Sequence, residues 1–133
     1  MKLSRFTSLI LPLLFLSIGC TQSQKSANTI TPEQLKQKID NHENMILIDV
    51  RTQPEYTGEL GHIKGTVLLP VQDITSWISN YDNDKDKEII MICRSGNRSG
   101  RATQYFLDNG FKDVYNMEGG MIGWNKAGYP VEK

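Results

Sequence analysis

Two stretches of near-continuous apolar residues frame this chain: residues 45–50 (MILIDV) and Glu88–Ile92 (EIIMI). Their length and β-branched content fit strands buried on both faces. Residues 66–69 and 114–116 are shorter candidates of the same kind. Between these runs the spacing turns helical. Thr31-Pro32-Glu33-Gln34 reads as a helix start, with Thr31 as N-cap, proline at the first helical position and Gln34 closing a capping box. Leu35 and Ile39 follow on one face, four residues apart. Ile74, Trp77, Ile78 and Tyr81 recur at helical spacing, and residues 82–87 form a charged, solvated loop. Residues 99–109 read as a helix stopped by Gly110, and residues 121–127 as a closing helix. Strands alternating with helices predict an α/β domain with a mainly parallel sheet. In such sheets the functional residues lie beyond the carboxyl ends of the strands. Two segments with chemically loaded residues fall there: Asp49-Val50-Arg51, and Cys93 through Ser99.

The first residues follow a different pattern. Lys2 and Arg5 precede an apolar run from Leu9 to Ile18, and small residues lead up to Cys20. A charged start, a short apolar stretch and a small-residue cleavage site are the layout of a secretory signal. The run is too short for a comfortable membrane span, and Pro12 interrupts it. Gly19-Cys20 resembles a bacterial lipoprotein cleavage box, with Ser17 where leucine is usual three residues before the cysteine. The expected organisation is a signal peptide over 1–19, a lipidated Cys20 with a polar tether over 20–29, and one domain over 30–133. An ordinary signal peptide leaving Cys20 unmodified is the alternative.

Composition changes the picture in two places. The 133 residues carry 15 basic and 15 acidic side chains. No basic excess marks a nucleic-acid surface. Without residues 1–19 the balance is 13 basic against 15 acidic, slightly negative. The only cysteines are Cys20 and Cys93. If lipid occupies Cys20, Cys93 is a lone thiol in an oxidising compartment, which suggests chemistry before stapling.

The loop after the second long strand carries that chemistry. A buried strand delivers Cys93, the polar residues Arg94, Ser95, Gly96 and Asn97 follow, and then Arg98 and Ser99 open a helix. A helix start presents unpaired amides and partial positive charge. Gly96 permits a turn that a side chain would obstruct. The amides can then form a nest for an anion, and Arg94, Arg98 and Arg101 add charge. Such surroundings favour thiolate over thiol, and thiolate is the nucleophile. Two reaction classes use such a loop: sulfur transfer through a cysteine persulfide, and phosphoester or arsenate chemistry on a cysteine. Cysteine phosphatases place five residues between Cys and Arg, whereas four lie between Cys93 and Arg98. The tighter ring suits a single sulfur better. A silent module used only for binding is a third class, disfavoured by the intact Cys93.

Cys93-Arg94-Ser95-Gly96-Asn97-Arg98-Ser99 resembles the active-site loop of the rhodanese family. Ile48-Asp49-Val50-Arg51 with Glu55-Tyr56 resembles its first-strand signature. Gly61-His62-Ile63-Lys64-Gly65-Thr66 resembles the next, with Thr66 where alanine is commoner. Glu118-Gly119-Gly120, Trp124 and Gly128-Tyr129-Pro130-Val131 resemble its closing segment. The secreted single-domain layout is similar to periplasmic phage-shock-type rhodaneses. The resemblance implies a three-layer fold with a five-stranded, mainly parallel sheet flanked by helices, and no metal or organic cofactor. It implies a small anionic sulfur donor such as thiosulfate and a thiol or cyanide acceptor, with no nucleic acid. The expected location is the periplasm or cell envelope, with membrane attachment through Cys20. Asp49 and Arg51 are expected to support the loop through ion pairs, with Glu55 as a partner for Arg51. His62 is expected to hold backbone groups, with a proton shuttle as the alternative. Trp77 and Trp124 are expected in the core.

Overall fold

A computed structural model describes residues 28–133. The signal segment 1–19 and Cys20, with most of the tether, lie outside the described residues. Five strands, β1 (Thr29–Ile30), β2 (Ile46–Asp49), β3 (Val67–Leu68), β4 (Glu88–Ile92) and β5 (Asp113–Met117), form one sheet in the order β1-β5-β4-β2-β3. Every pairing is parallel, so the sheet is parallel throughout and not merely in the main. The helices are α1 (Pro32–Asp40), α2 (Gln53–Tyr56), α3 (Ile74–Trp77), α4 (Asn97–Asp108) and α5 (Gly120–Lys126).

The alternation along β4 divides the core in two. Ile89 and Met91 face Trp77, Ala102 and Phe106, the layer of α3 and α4. Ile90 and Ile92 face Leu35, Met121 and Trp124, the layer of α1 and α5. A strand buried on both sides must read as a continuous apolar run, as EIIMI does. Both tryptophans are core residues, and each indole N–H donates to a backbone carbonyl, Trp77 to Pro70 and Trp124 to Pro130.

The predicted capping box of α1 is present in both directions: Gln34 N–H donates to Thr31 Oγ1, and Thr31 N–H donates to the Gln34 side chain. Several boundaries differ from expectation. The sheet begins at Thr29, inside the expected tether, because Asn28 and Ile30 carbonyls accept from Asn116 and Glu118 amides. α4 starts at Asn97 and not at Ser99, since Gly96 takes φ +98° and turns the chain directly into the helix. The helical spacing of 74–81 yields only one turn of α-helix before a 3-10 segment, Ile78–Asp84. Serine, asparagine and aspartate, which fill that segment, are weak residues for a helix interior. α2 escapes a periodicity reading because it has four residues, although Thr52 and Glu55 cap it.

Pairing sets the site. Asp49 is in register with Ile92, and Val50 N–H donates to the Ile92 carbonyl at 2.8 Å. The ends of β2 and β4 are therefore neighbours, and their loops leave the sheet side by side.

Candidate active site

Cys93 follows the last residue of β4, the central strand, and its side chain is 1% exposed. The chain then turns through Gly96, the left-handed residue before α4. Gly96 N–H and the Ser99 hydroxyl each lie 3.1 Å from Sγ and point at it. Burial pushes the Cys93 thiol up, but the Ser99 hydroxyl and the amides of Ser99, Gly96 and Ser95 outweigh it. The result is a thiol held below its ordinary range, the direction that converging donors impose on a group that ionises to an anion.

The loop's remaining members divide. Arg94, Ser95 and Asn97 are exposed, whereas Ser99 is fully buried. Arg98 is half-buried, and its guanidinium grips the Glu55 carboxylate with two bonds of 2.9 and 2.6 Å. This holds Glu55 at about 2, against an ordinary 4.5; the Arg98 hydrogen bond is the main cause, and the Thr52 amide and hydroxyl add to it. Beside the loop a cleft of about 240 Å³ is lined by Arg51, Pro54, Glu55, Gly58, Glu59, Leu60 and Arg94.

Asp49 and Arg51 form a buried pair, 0% and 1% exposed. Arg51 Nε and Nη2 donate to the Asp49 carboxylate, and Nη1 and Nη2 donate to the carbonyls of Glu55 and Gly61. Arg51 thus fastens the ends of two segments to β2. The expected partnership of Arg51 with Glu55 holds only for the Glu55 backbone; the carboxylate belongs to Arg98. His62 Nδ1 donates to the Tyr56 carbonyl at 3.0 Å, its ring stacks on Tyr56 at 3.7 Å, and its backbone bridges Glu132. These contacts hold backbone segments together, as a structural histidine does.

Two further residues stand near Cys93: Asn116, which sequence reasoning does not single out, and Gly120, which it names only within the closing Glu118-Gly119-Gly120 signature. Asn116, on β5, accepts from the Ser99 hydroxyl at 2.6 Å and donates to the Gly96 carbonyl at 3.1 Å. A polar residue near the carboxyl end of a parallel strand was the available signal. Gly120 opens α5 at φ +55°, packed against the backbone of Cys93 and Arg94. From there Met121 and Ile122 amides donate to the Cys93 and Arg94 carbonyls at 2.8 and 3.0 Å. The loop is thus buttressed from both faces of the sheet.

A parallel α/β sheet that delivers a buried cysteine from its central strand onto converging backbone and hydroxyl donors defines a class of α/β domains with a cysteine loop at the carboxyl end of the sheet. Within that class, the chain belongs to the rhodanese-like domain family, whose sequence profile matches residues 31–127. The chain is 35% identical over 104 residues to a sulfurtransferase of Allochromatium vinosum, a match covering 78% of this chain and 94% of that protein. It is 33% identical over 115 residues to the tRNA uridine(34) hydroxylase of Photorhabdus laumondii, covering 80% of this chain and 32% of the relative. The chain therefore spans about a third of that hydroxylase. The crystal structure of a rhodanese-like domain protein from Staphylococcus aureus superposes with a TM-score of 0.67 at 29% identity, covering 80% of this chain and 99% of that one. The family and the sulfurtransferase relative support a sulfurtransferase-type role.

Proposed function

We propose that the protein moves sulfane sulfur from a small anionic donor such as thiosulfate to a thiol or cyanide acceptor, through a persulfide on Cys93. The observation that carries this reading is the Cys93 sulfur itself, buried in a ring small enough for Gly96 N–H and the Ser99 hydroxyl to reach it directly. In the first step the Cys93 thiolate attacks the outer sulfur of thiosulfate. A sulfur–sulfur bond forms to Cys93, the bond to the sulfonate sulfur breaks, and its electron pair leaves on sulfite. In the second step the acceptor attacks the terminal sulfur, and the thiolate returns to Cys93. Preorganised donors aimed at the anion stabilise both states without reorganisation. Arg94, exposed at the edge of the cleft, attracts anionic donors.

A phosphatase reading is weaker on two counts. The ring is one residue short, and Arg98 is engaged by Glu55 instead of standing free to clamp a phosphoryl group. The Gly19-Cys20 box and the polar residues after it support a cell-envelope lipoprotein anchored through Cys20, of the periplasmic phage-shock type.

Intact-mass measurement after thiosulfate treatment tests the mechanism. Wild type gains one sulfur atom and releases it to cyanide, and Cys93→Ser, folded by circular dichroism, gains none. Substantial thiosulfate:cyanide activity in Cys93→Ser, or efficient aryl phosphate hydrolysis by a wild type that forms no persulfide, refutes it.

A further inference from the structure

The Ser99 hydroxyl has one proton and two neighbours that want it. Oγ lies 3.1 Å from Cys93 Sγ and 2.6 Å from Asn116 Oδ1. The Asn116 amide cannot turn round to relieve the conflict. Its Nδ2 donates to the Gly96 carbonyl, which only accepts, so a flipped amide would set two oxygens against each other. Gly96 is the residue whose own amide donates to Sγ, so one short circuit links the sulfur, the hydroxyl, the amide and the loop backbone.

We infer that Ser99 is a hydroxyl switch and that Asn116, acting through it, is a positioning residue that sets how readily Cys93 ionises. With Cys93 protonated, S–H donates to Ser99 Oγ and the Ser99 hydroxyl donates to Asn116, so every partner is satisfied. With Cys93 ionised, the Cys93 proton has left to solvent, and the Ser99 hydroxyl turns to the thiolate without giving up its own proton. Asn116 Oδ1 then loses its donor. Asn116 therefore favours the resting thiol, and the thiolate must win the hydroxyl from it. Of the other charged groups around the loop, Arg98 with Glu55 and Asp49 with Arg51 have their hydrogen-bond partners elsewhere, and Arg98 reaches Cys93 only through its charge, which the Asn116 and Ser99 substitutions leave in place. Arg94 is exposed. The functional consequence rests on the persulfide reading, in which the thiolate starts the cycle; the switch itself does not require it.

The direct test uses wild-type protein with 13C-labelled asparagine and no sulfur donor. The Asn116 side-chain carbonyl shift should move with the same midpoint as Cys93 ionisation, followed by thiolate absorbance, and should stay flat in Ser99→Ala. A wild-type carbonyl shift that ignores the ionisation overturns the switch. A second measurement uses iodoacetamide alkylation of Cys93 below its midpoint. Asn116→Ala should react several-fold faster than wild type, about fivefold if one ordinary hydrogen bond is at stake. Ser99→Ala should react more slowly, and Ser99→Ala/Asn116→Ala should match Ser99→Ala. If Asn116 merely props up the loop, Asn116→Ala reacts more slowly, and its effect persists when Ser99 is gone; either result overturns the proposal. These readouts involve no sulfur donor, so failure of the persulfide reading is seen separately, in the intact-mass experiment.

Discussion

Replacing Gly120 with alanine should damage the active-site loop from the opposite face of the sheet. Gly120 has φ +55°, and a Cβ there presses into the Cys93 carbonyl oxygen and comes within 2.5 and 2.6 Å of the Arg94 carbonyl carbon and oxygen. All of these are backbone atoms, so no side chain can swing aside. Left-handed backbone alone costs a residue with a Cβ about 1–2 kcal/mol. Relieving the overlap means parting α5 from the loop, which strains the bonds from Met121 and Ile122 amides to the Cys93 and Arg94 carbonyls. Each such buried group left unpaired adds about 1–3 kcal/mol. The total, roughly 3–8 kcal/mol, is a large share of the stability of a single domain. Urea unfolding gives the loss as a lower midpoint at unchanged slope, and intact mass after thiosulfate gives the surviving persulfide capacity. Gly123→Ala is the control. It lies within α5, its added Cβ meets Glu118 O at 3.4 Å and Pro32 Cγ at 3.5 Å, and its φ is ordinary. That variant should be neutral or gain up to about 1 kcal/mol from helix propensity. A Gly120→Ala protein with wild-type midpoint and full persulfide yield would refute the reasoning.

Other consequences follow from the same contacts. Asp49→Asn leaves Arg51 charged and buried without its counter-ion, and should cost about 3–5 kcal/mol in urea unfolding; a loss under about 1 kcal/mol contradicts the ion pair's role. Glu55 is held down at about 2 from an ordinary 4.5, so its contribution is complete above about 4.5 and disappears as pH falls through about 2. Glu55→Gln should therefore flatten the acid side of the stability profile by about 1–2 kcal/mol, after allowance for the pair's partial exposure; equal acid sensitivity in both proteins counts against the Arg98 pairing. Mass analysis of membrane-extracted protein should find Cys20 as the lipid-bearing first residue, and a mature chain beginning elsewhere with Cys20 unmodified removes the anchor.

The sequence by itself determined what depends on neighbours in the chain. The buried strands were legible because burial on both faces leaves no room for polar alternation, as in Glu88–Ile92. The α1 cap was legible because Thr31 and Gln34 satisfy each other within one turn. The Cys93 loop was legible because its chemistry is packed into seven consecutive residues. Only the tertiary structure decided matters of pairing across distance. Thr29 and Ile30 are too few to signal a strand until β5 supplies the partner. Glu55 lies four residues from Arg51, an inviting helical spacing, yet Asp49 already neutralises that guanidinium in the interior, and α4 brings Arg98 back from 43 residues away to take the carboxylate. Asn116 and Gly120 matter because the sheet order sets β5 beside β4 and leads the chain into α5 against the Cys93 loop. Backbone atoms of distant segments meet there, so the Glu118-Gly119-Gly120 signature marks Gly120 without showing which atoms it approaches, and Asn116 is marked only by the proton that a hydroxyl must share.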